Sequence, residues 1–439
     1  MKKLLYLLLL CLFTVTPTLA DTPLAVTVQS NKADSGFRDH LTFTLSATSP
    51  TEIKEVFLFY KVIGQIAISR NEATFTSGVS IEASFKLDQT LPANYMPPGT
   101  EVEYWWKLVG TNGEEFKTDQ ARLLYLDDRH EWQSQKNDRL TIYWYEGDAV
   151  FGQALFDRAN VALNTLQTDL KVNLKDPIKI FIYASHDDLM SALSAGAQEW
   201  TGGVAFTEFG VVVIGIEPDA LDWGLRAMSH EMTHLVIHQA TNNPYSDLPR
   251  WLDEGVAVYN EDKNELVDDF KPVLDEAIKQ DKLMTLRTLS SPFPSDPLQA
   301  NLAYGQSGAM VKFMVDKYGA EAMGKLLEIF SEGALYDEAL KGALGTDSDG
   351  LYNAWRVSVN LPPMPGTESN MPTVEAQVQT QAEATPAPVA TAVVISPTQT
   401  APMMDNQTTL LLIAGLCCCF GGLVLLVIGV VVVMRRARG

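Results

Sequence analysis

The sequence predicts a multidomain protein in which an all-β, immunoglobulin- or fibronectin-like sandwich precedes an α+β domain with a helical C-terminal lobe. Short runs that alternate apolar and polar residues dominate residues 22–125. Strand and helix patterns then alternate from residue 138, and residues 261–360 have almost wholly helical periodicity. A chain of 439 residues is too long for one ordinary core, so about two or three domains are expected.

The N-terminus has the pattern of a secretory signal peptide. Lys2 and Lys3 are followed by the apolar run Leu4–Phe13 and by the small-residue cleavage site Thr18–Ala20. Residues 1–20 are therefore predicted to be removed and are excluded from the fold prediction.

The C-terminal end has the pattern of a membrane anchor. Leu410–Met434 is a run of 25 residues without a charge, long enough to cross a bilayer as one helix. The Arg-rich residues 435–439 follow it, so the positive-inside rule places them in the cytoplasm and the rest of the chain outside. Residues 361–408 are rich in Pro, Thr, Ala and Gln, which predicts a disordered stalk. The expected location is the cell membrane, with a single span and an exported body.

Charge and cysteine content exclude some classes of protein. The formal net charge is -21, with 54 acidic and 33 basic residues, and such a surface repels nucleic acid. The four cysteines all lie in the apolar end segments, so no disulfide can stabilise the part between them. They are Cys11, Cys417, Cys418 and Cys419.

The sandwich is predicted from three alternating runs, Leu41–Leu45, Val56–Val62 and Val102–Leu108. Turn signals separate such runs, at Pro97–Gly99 and at Asn112–Gly113. Several short strands in this length are typical of an immunoglobulin- or fibronectin-like sandwich.

The second domain, predicted over residues 138–360, has a mixed pattern. Strands, helices and a glycine-flanked β-rich run are predicted at Leu140–Tyr145, Ala149–Leu170, Ile178–Tyr183, Asp187–Ala197 and Gly210–Ile216. A long helix then runs from Pro218 to about Ala240. This order predicts an α+β domain.

The long helix carries His230, Glu231 and His234, in the order His-Glu-Met-Thr-His. Residues four apart share a helix face, so both imidazoles can bind one ion, and neutral imidazole suits zinc. Glu231 lies about a hundred degrees around the helix, where it can face a metal-bound water without binding the metal. The competing interpretation is a helix with two surface histidines and an unrelated glutamate.

His238 continues the series by one turn but is not predicted to be a ligand. It lies about 6 Å further along the helix axis than His234 and about 12 Å beyond His230. One ion cannot contact three successive turns of a straight helix. We expect His238 to be a packing or capping residue.

A second motif, Trp251–Ala257, places Glu254 twenty residues after His234. Its Trp-Leu-x-Glu-Gly pattern resembles the gluzincin branch of zinc metallopeptidases, in which a glutamate on the next helix completes a His₂Glu site. The resemblance implies that Glu254 is the third ligand. Asp253 is the competitor, since it is adjacent and also acidic.

Over residues 138–360 the chain is most similar to the peptidase MA-like domains of secreted bacterial proteins. The resemblance implies a zincin-like fold, one zinc ion per chain and hydrolysis in which Glu231 takes a proton from zinc-bound water. Tyr304 is a candidate for stabilising the oxyanion, and the alternative is a buried core tyrosine. Many gluzincins have an aspartate four residues after the ligand glutamate, but Val258 stands there, so the residue that orients the ligand histidine is unidentified.

The resemblance, together with the predicted membrane anchor, implies a membrane-anchored zinc endopeptidase that acts on extracellular or envelope polypeptides. Val211–Ile216 is either an exposed edge that pairs with such a substrate or an internal strand. The alternative function is a surface-anchored binding or adhesion module with a degenerate lobe, and a third is a hydrolase of non-peptide bonds. The substrate, the cleavage preference and the oligomeric state do not follow from the sequence.

Overall fold

The computed structural model describes residues 24–193, 202–243, 245–262, 266 and 270–365, which all belong to one compact unit. The predicted signal peptide, the membrane segment, the cytoplasmic tail and the stalk beyond residue 365 lie outside this range. Among the helices of the described part, none has the length and apolar character to cross a membrane.

Residues 24–125, here called the β domain, form one seven-stranded antiparallel sheet, so the predicted β-rich N-terminal region is confirmed. Its strands are β1 (Thr27–Gly36), β2 (His40–Val62), β3 (Ser69–Glu72), β4 (Gly78–Asp88), β5 (Thr100–Gly110), β6 (Glu115–Lys117) and β7 (Ala121–Tyr125).

Strand β2 joins the two halves of this sheet. Its first half pairs with β1 and β4, and its second half pairs with β3 and β5. The ring of Phe43 in the first half lies 4.9 Å from the ring of Tyr104 on β5, so the two halves enclose one core. The prediction of separate strands at Leu41–Leu45 and Val56–Val62 was wrong, because the irregular register between Thr48 and Ile53 interrupts the alternation but not the strand.

Residues 133–365, here called the second domain, begin with a five-stranded mixed sheet of order β11-β12-β10-β9-β8. Strands β9, β10 and β12 are parallel, and the outer two are antiparallel to their neighbours. The elements are β8 (Gln133–Lys136), β9 (Leu140–Trp144), α1 (Ala149–Leu170), β10 (Ile178–Tyr183), α2 (His186–Ala192), β11 (Gly203–Phe206) and β12 (Val211–Gly215). The helix α1 and the strand β10 have the predicted bounds. The four-residue strands β8 and β11 were not predicted.

Both faces of this second sheet are buried. Alternate residues such as Ile180 and Val212 pack against the helices, while Phe181, Tyr183 and Val213 belong to the core of the β domain. A sheet buried on both sides has continuous apolar strands, which explains the run Val211–Ile214. The β domain therefore takes the place that a second layer of helices would occupy.

The helical part completes the second domain, as predicted. Its helices are α3 (Leu221–Thr241), α4 (Arg250–Glu261), α5 (Lys271–Lys279), α6 (Leu286–Leu289), α7 (Pro297–Ser331), α8 (Tyr336–Leu344) and α9 (Ser348–Ser358). A 3-10 turn at Pro218–Ala220 precedes α3, and Gly319, with φ 78°, interrupts α7.

Gly99 packs the β domain against the second sheet. Its φ is +85°, and a Cβ atom there would lie 2.3 Å from the ring of Phe181. Gly113 has φ +84° with nothing within 4 Å of such an atom, so it is a matched control. Left-handed backbone costs a non-glycine residue about 1–2 kcal/mol at either position.

We expect Gly99→Ala to lower the free energy of unfolding by about 1–3 kcal/mol more than Gly113→Ala, because only the former overpacks the shared core. Denaturant unfolding of the two variants beside the wild type measures the difference. Equal losses would contradict a core shared by the two domains.

Candidate metal centre

The helix α3 brings the two predicted histidines together inside the protein. His230 and His234 are only 3% and 6% exposed, and their ring centroids are 4.9 Å apart. They lie on one face because four residues make slightly more than one helical turn. The alternative of two surface histidines is thereby excluded.

Glu254 of α4 faces both rings. Its Oε2 atom lies 3.3 Å from Nε2 of His230 and 3.4 Å from Nε2 of His234. Ligand atoms about 2.0–2.1 Å from a tetrahedral zinc ion lie about 3.3–3.4 Å from one another. The three side chains thus have the spacing of a His₂Glu metal site, with all ligand atoms within 4.8 Å of one another.

Two of these ligand atoms have no hydrogen-bond partner in the described part of the chain, which is evidence that the site holds a metal ion. Nε2 of His234 and Oε2 of Glu254 are buried and have no hydrogen-bond partner among the described residues. Buried polar atoms are normally hydrogen-bonded, and such exceptions need an explanation. An ion bound between them provides one, and the donor set of two imidazoles and a carboxylate fits zinc.

The other nitrogen of each imidazole faces a carboxylate. Oε1 of Glu261 lies within hydrogen-bond distance of Nδ1 of His230, at 2.7 Å, and Oδ2 of Asp253 lies 3.1 Å from Nδ1 of His234 as an ion pair without hydrogen-bond geometry. Metal-binding histidines commonly donate their second N–H to a carboxylate, which fixes the ring and the tautomer. Asp253, the competitor for the third ligand position, therefore lies on the outer side of His234.

Glu261 was not predicted from the sequence. It lies seven residues after Glu254, two turns along the same face of α4, and it occupies the orienting role that Val258 cannot fill. The C-terminal end of α4 is held by Arg158 of α1, whose guanidinium donates to the carbonyl oxygens of Asn260 and Glu261.

Arg250 was also missed. Its guanidinium lies 2.8 Å from Oε1 of Glu254, one turn away on α4. This ion pair holds one carboxylate oxygen and leaves Oε2 facing the imidazoles. The i,i+4 spacing of Arg250 and Glu254 was the signal in the sequence.

The carboxylates determine the protonation of the imidazoles. Burial opposes a positive charge on His230, but the adjacent Glu254 and Glu261 outweigh it and raise its pKa to about 9. Burial is likewise outweighed at His234, where Asp253 and Glu254 raise the pKa well above its usual value. A metal must displace these protons, so the negative charge that holds them is also available to hold a dication.

Glu231 is 3% exposed and lies beneath β11. A Cβ atom on Gly203 of that strand would lie 3.0 Å from Cγ of Glu231, so a larger residue there would crowd the glutamate. The candidate base is therefore enclosed between α3 and the end of the sheet.

Tyr304 of α7 is 2% exposed, with its ring between Phe270 and Phe293. Its ring centroid lies 6.2 Å from that of His230. Burial, and next the charge of Glu254, raise its pKa well above the usual value, so the hydroxyl keeps its proton. Tyr304 is thus a buried tyrosine that borders the site, and its role as oxyanion donor stays a prediction.

The structure decides between two pairs of alternatives that the sequence left open. His238 does not join the cluster, as predicted, but its side chain is exposed in the last turn of α3, so the packing role was wrong. Val211–Gly215 is an internal strand, because the unpredicted β11 pairs with its outer side. In the described part of the chain, β11 is the edge strand nearest the histidines.

Comparison with solved structures gives only distant likenesses. The M1 zinc metallopeptidase from Deinococcus radiodurans is 14% identical, with a TM-score of 0.34, and the alignment covers 77% of this chain and 96% of that chain. OgpA from Akkermansia muciniphila, crystallised with an O-glycopeptide substrate, is 14% identical, with a TM-score of 0.20, and 26% and 32% of the two chains are covered. This chain thus spans about a third of the length of OgpA. At such TM-scores these likenesses carry no argument.

Comparison with protein families is informative. A search of the curated proteins found no match. Residues 158–361, which contain the histidine helix and the Trp-Leu-x-Glu-Gly helix, match the family model of the Peptidase MA superfamily. The second domain of this chain is therefore a gluzincin-like domain of the Peptidase MA superfamily.

Proposed function

We propose that this chain is a zinc-dependent peptidase whose metal is held by His230, His234 and Glu254. The observation that carries the proposal is the convergence of the three buried ligand atoms at the separation of adjacent ligands of tetrahedral zinc. Zinc at this position would activate water and polarise a carbonyl group.

Each protein residue then has a role that its surroundings support. Glu231, adjacent to a ligand histidine and beneath β11, is the general base that accepts a proton from water and passes it to the leaving amine. Glu261 and Asp253 fix the two imidazole rings, and Arg250 fixes Glu254. Tyr304 is the candidate donor to the oxyanion.

The substrate is proposed to be an extended polypeptide that pairs with β11. This strand is hydrogen-bonded to β12 on one side, and it lies directly over Glu231. A peptide added to such an edge by backbone hydrogen bonds would place its carbonyl groups along the site.

We further propose that the enzyme is anchored in the cell membrane by Leu410–Met434 and faces outward. The support is the sequence alone, namely the uncharged run with its following arginines and the N-terminal signal pattern. The body would then act on extracellular or envelope polypeptides near the membrane.

The zinc content of four variants tests the ligand assignment. We expect about one zinc ion per wild-type chain and none with Glu254→Ala, while Glu261→Gln and Asp253→Asn should bind zinc about 10–100-fold more weakly, because they orient ligands without binding the metal. Exposed Glu276→Gln is the control. Metal analysis and chelator competition, with circular dichroism to verify folding, provide the measurements. If Asp253→Asn abolished zinc binding and Glu254→Ala did not, the assignment of the third ligand would be wrong.

The role of Glu231 is tested by Glu231→Gln, which keeps the size of the side chain and removes the base. We expect zinc content to stay near one per chain and kcat/KM to fall about 10²–10⁴-fold. Digestion of a broad peptide library, read by mass spectrometry, measures the activity. Undiminished cleavage by this variant would rule out Glu231 as the base, and a zinc-loaded wild type without cleavage would favour the binding-module alternative.

The membrane anchor is tested by comparing the full chain with a chain that ends at Thr409. We expect the full chain to sediment with membranes and to resist alkaline washing, because a spanning helix buries its apolar surface in the bilayer. The shortened chain should stay in the supernatant. Equal sedimentation of both would contradict the proposed anchor.

A further inference from the structure

The C-terminal end of α2 is capped by side chains of the β domain. The Arg38 guanidinium donates hydrogen bonds to the carbonyl oxygens of Ser191, at 2.7 Å, and of Leu193. The Tyr95 hydroxyl donates to the carbonyl oxygen between them, that of Ala192, at 3.1 Å. The last carbonyl groups of a helix lack partners within the helix, so here two residues from another domain satisfy three consecutive ones.

Arg38 is held in place for this contact. It lies in the turn between β1 and β2 with φ 60°, a conformation that non-glycine residues rarely adopt. Its backbone amide donates to the hydroxyl of Tyr125 at 2.6 Å. Unusual backbone of this kind persists where surrounding contacts stabilise it, and here they direct the guanidinium to the end of α2.

The helix α2 is connected by contacts to the edge strand β11. Leu189 packs against Gly215 at the end of β12, with its Cδ2 atom 3.4 Å from where a Cβ would lie. The amide of Gly215 donates to the carbonyl oxygen of Gly202, directly before β11, at 2.9 Å. A displacement of α2 would therefore reach the residue directly before the strand that covers Glu231.

Tyr95 contacts the other end of the same strand. Its ring centroid lies 5.9 Å from that of Phe206, the last residue of β11. The same side chain thus touches α2 through its hydroxyl and β11 through its ring. The β domain supports the edge strand at both ends, although no residue of the β domain belongs to the metal cluster.

We propose that Arg38 and Tyr95 are positioning residues that hold β11 in the alignment needed to bind an extended polypeptide. The proposal rests on the proposed peptidase function, and it makes the β domain a part of the substrate cleft. The two residues act through α2 and Phe206 and do not touch the reacting atoms.

Hydrogen exchange of the full chain tests the structural part of this proposal without a substrate. We expect Arg38→Met and the milder Tyr95→Phe to speed exchange in peptides covering residues 202–206 by about tenfold or more. Arg38→Met removes two hydrogen bonds and Tyr95→Phe removes one, all of them to the end of α2, which supports the strand. Arg122→Met is the control, because Arg122 is an exposed arginine of the same domain that pairs with Glu103. Peptides from α8 and α9 should exchange as in the wild type.

Peptide kinetics test the functional part. In both variants we expect zinc content to stay unchanged, KM to rise several-fold and kcat to change less, because substrate alignment is weakened and the metal centre is not. Unchanged exchange at residues 202–206 in a folded Tyr95→Phe variant would overturn the proposal, as would faster exchange throughout the β domain, which indicates general destabilisation. If the wild type cleaved no peptide, the proposed peptidase function would fail. The exchange result would still show whether Arg38 and Tyr95 support β11.

Discussion

The candidate site depends on the close approach of α4 to its neighbours. A Cβ atom on Gly255 would lie 2.6 Å from the carbonyl oxygen of Ser307 on α7, so α4 can reach its position only with glycine there. Trp251, fully buried, anchors the same helix. The short helix then presents Asp253, Glu254 and Glu261 to the two histidines of α3, while Arg250 pairs with Glu254. The glycine and the tryptophan of the second motif are thus needed for the packing of α4. This packing positions the glutamate between them at the site.

Sequence patterns predicted the features that depend on neighbouring residues along the chain. The bounds of α1 and β10 follow from apolar periodicity, and His230, Glu231 and His234 share a helix region whatever surrounds it. Asp253 and Glu261 could not be assigned in this way, because their roles depend on the angle at which α4 crosses α3. The continuity of β2 was missed because residues 49–52 interrupt the apolar alternation and the strand pairing is irregular there, although the strand itself continues. The polar strand β8 shows no apolar pattern at all, and β11 was too short to recognise.

Electrostatics and burial act together at the metal cluster. Arg250 compensates part of the negative charge of α4. The raised pKa values of the imidazoles favour their protonated form, which balances the remaining negative charge. Such a cluster is stable in a buried place only when its charges are balanced, either by protons or by a cation. The same arrangement therefore accounts for the depth of the site and for its preference for a positive ion.

The sheet of the second domain has helices on one face and the β domain on the other. A chain that lost residues 24–125 would expose Phe181, Tyr183, Val211 and Val213, and its apolar strands would face water. The β domain and the second domain therefore depend on each other for a buried core. The N-terminal region could not be exchanged for another without rebuilding the sheet that packs against it.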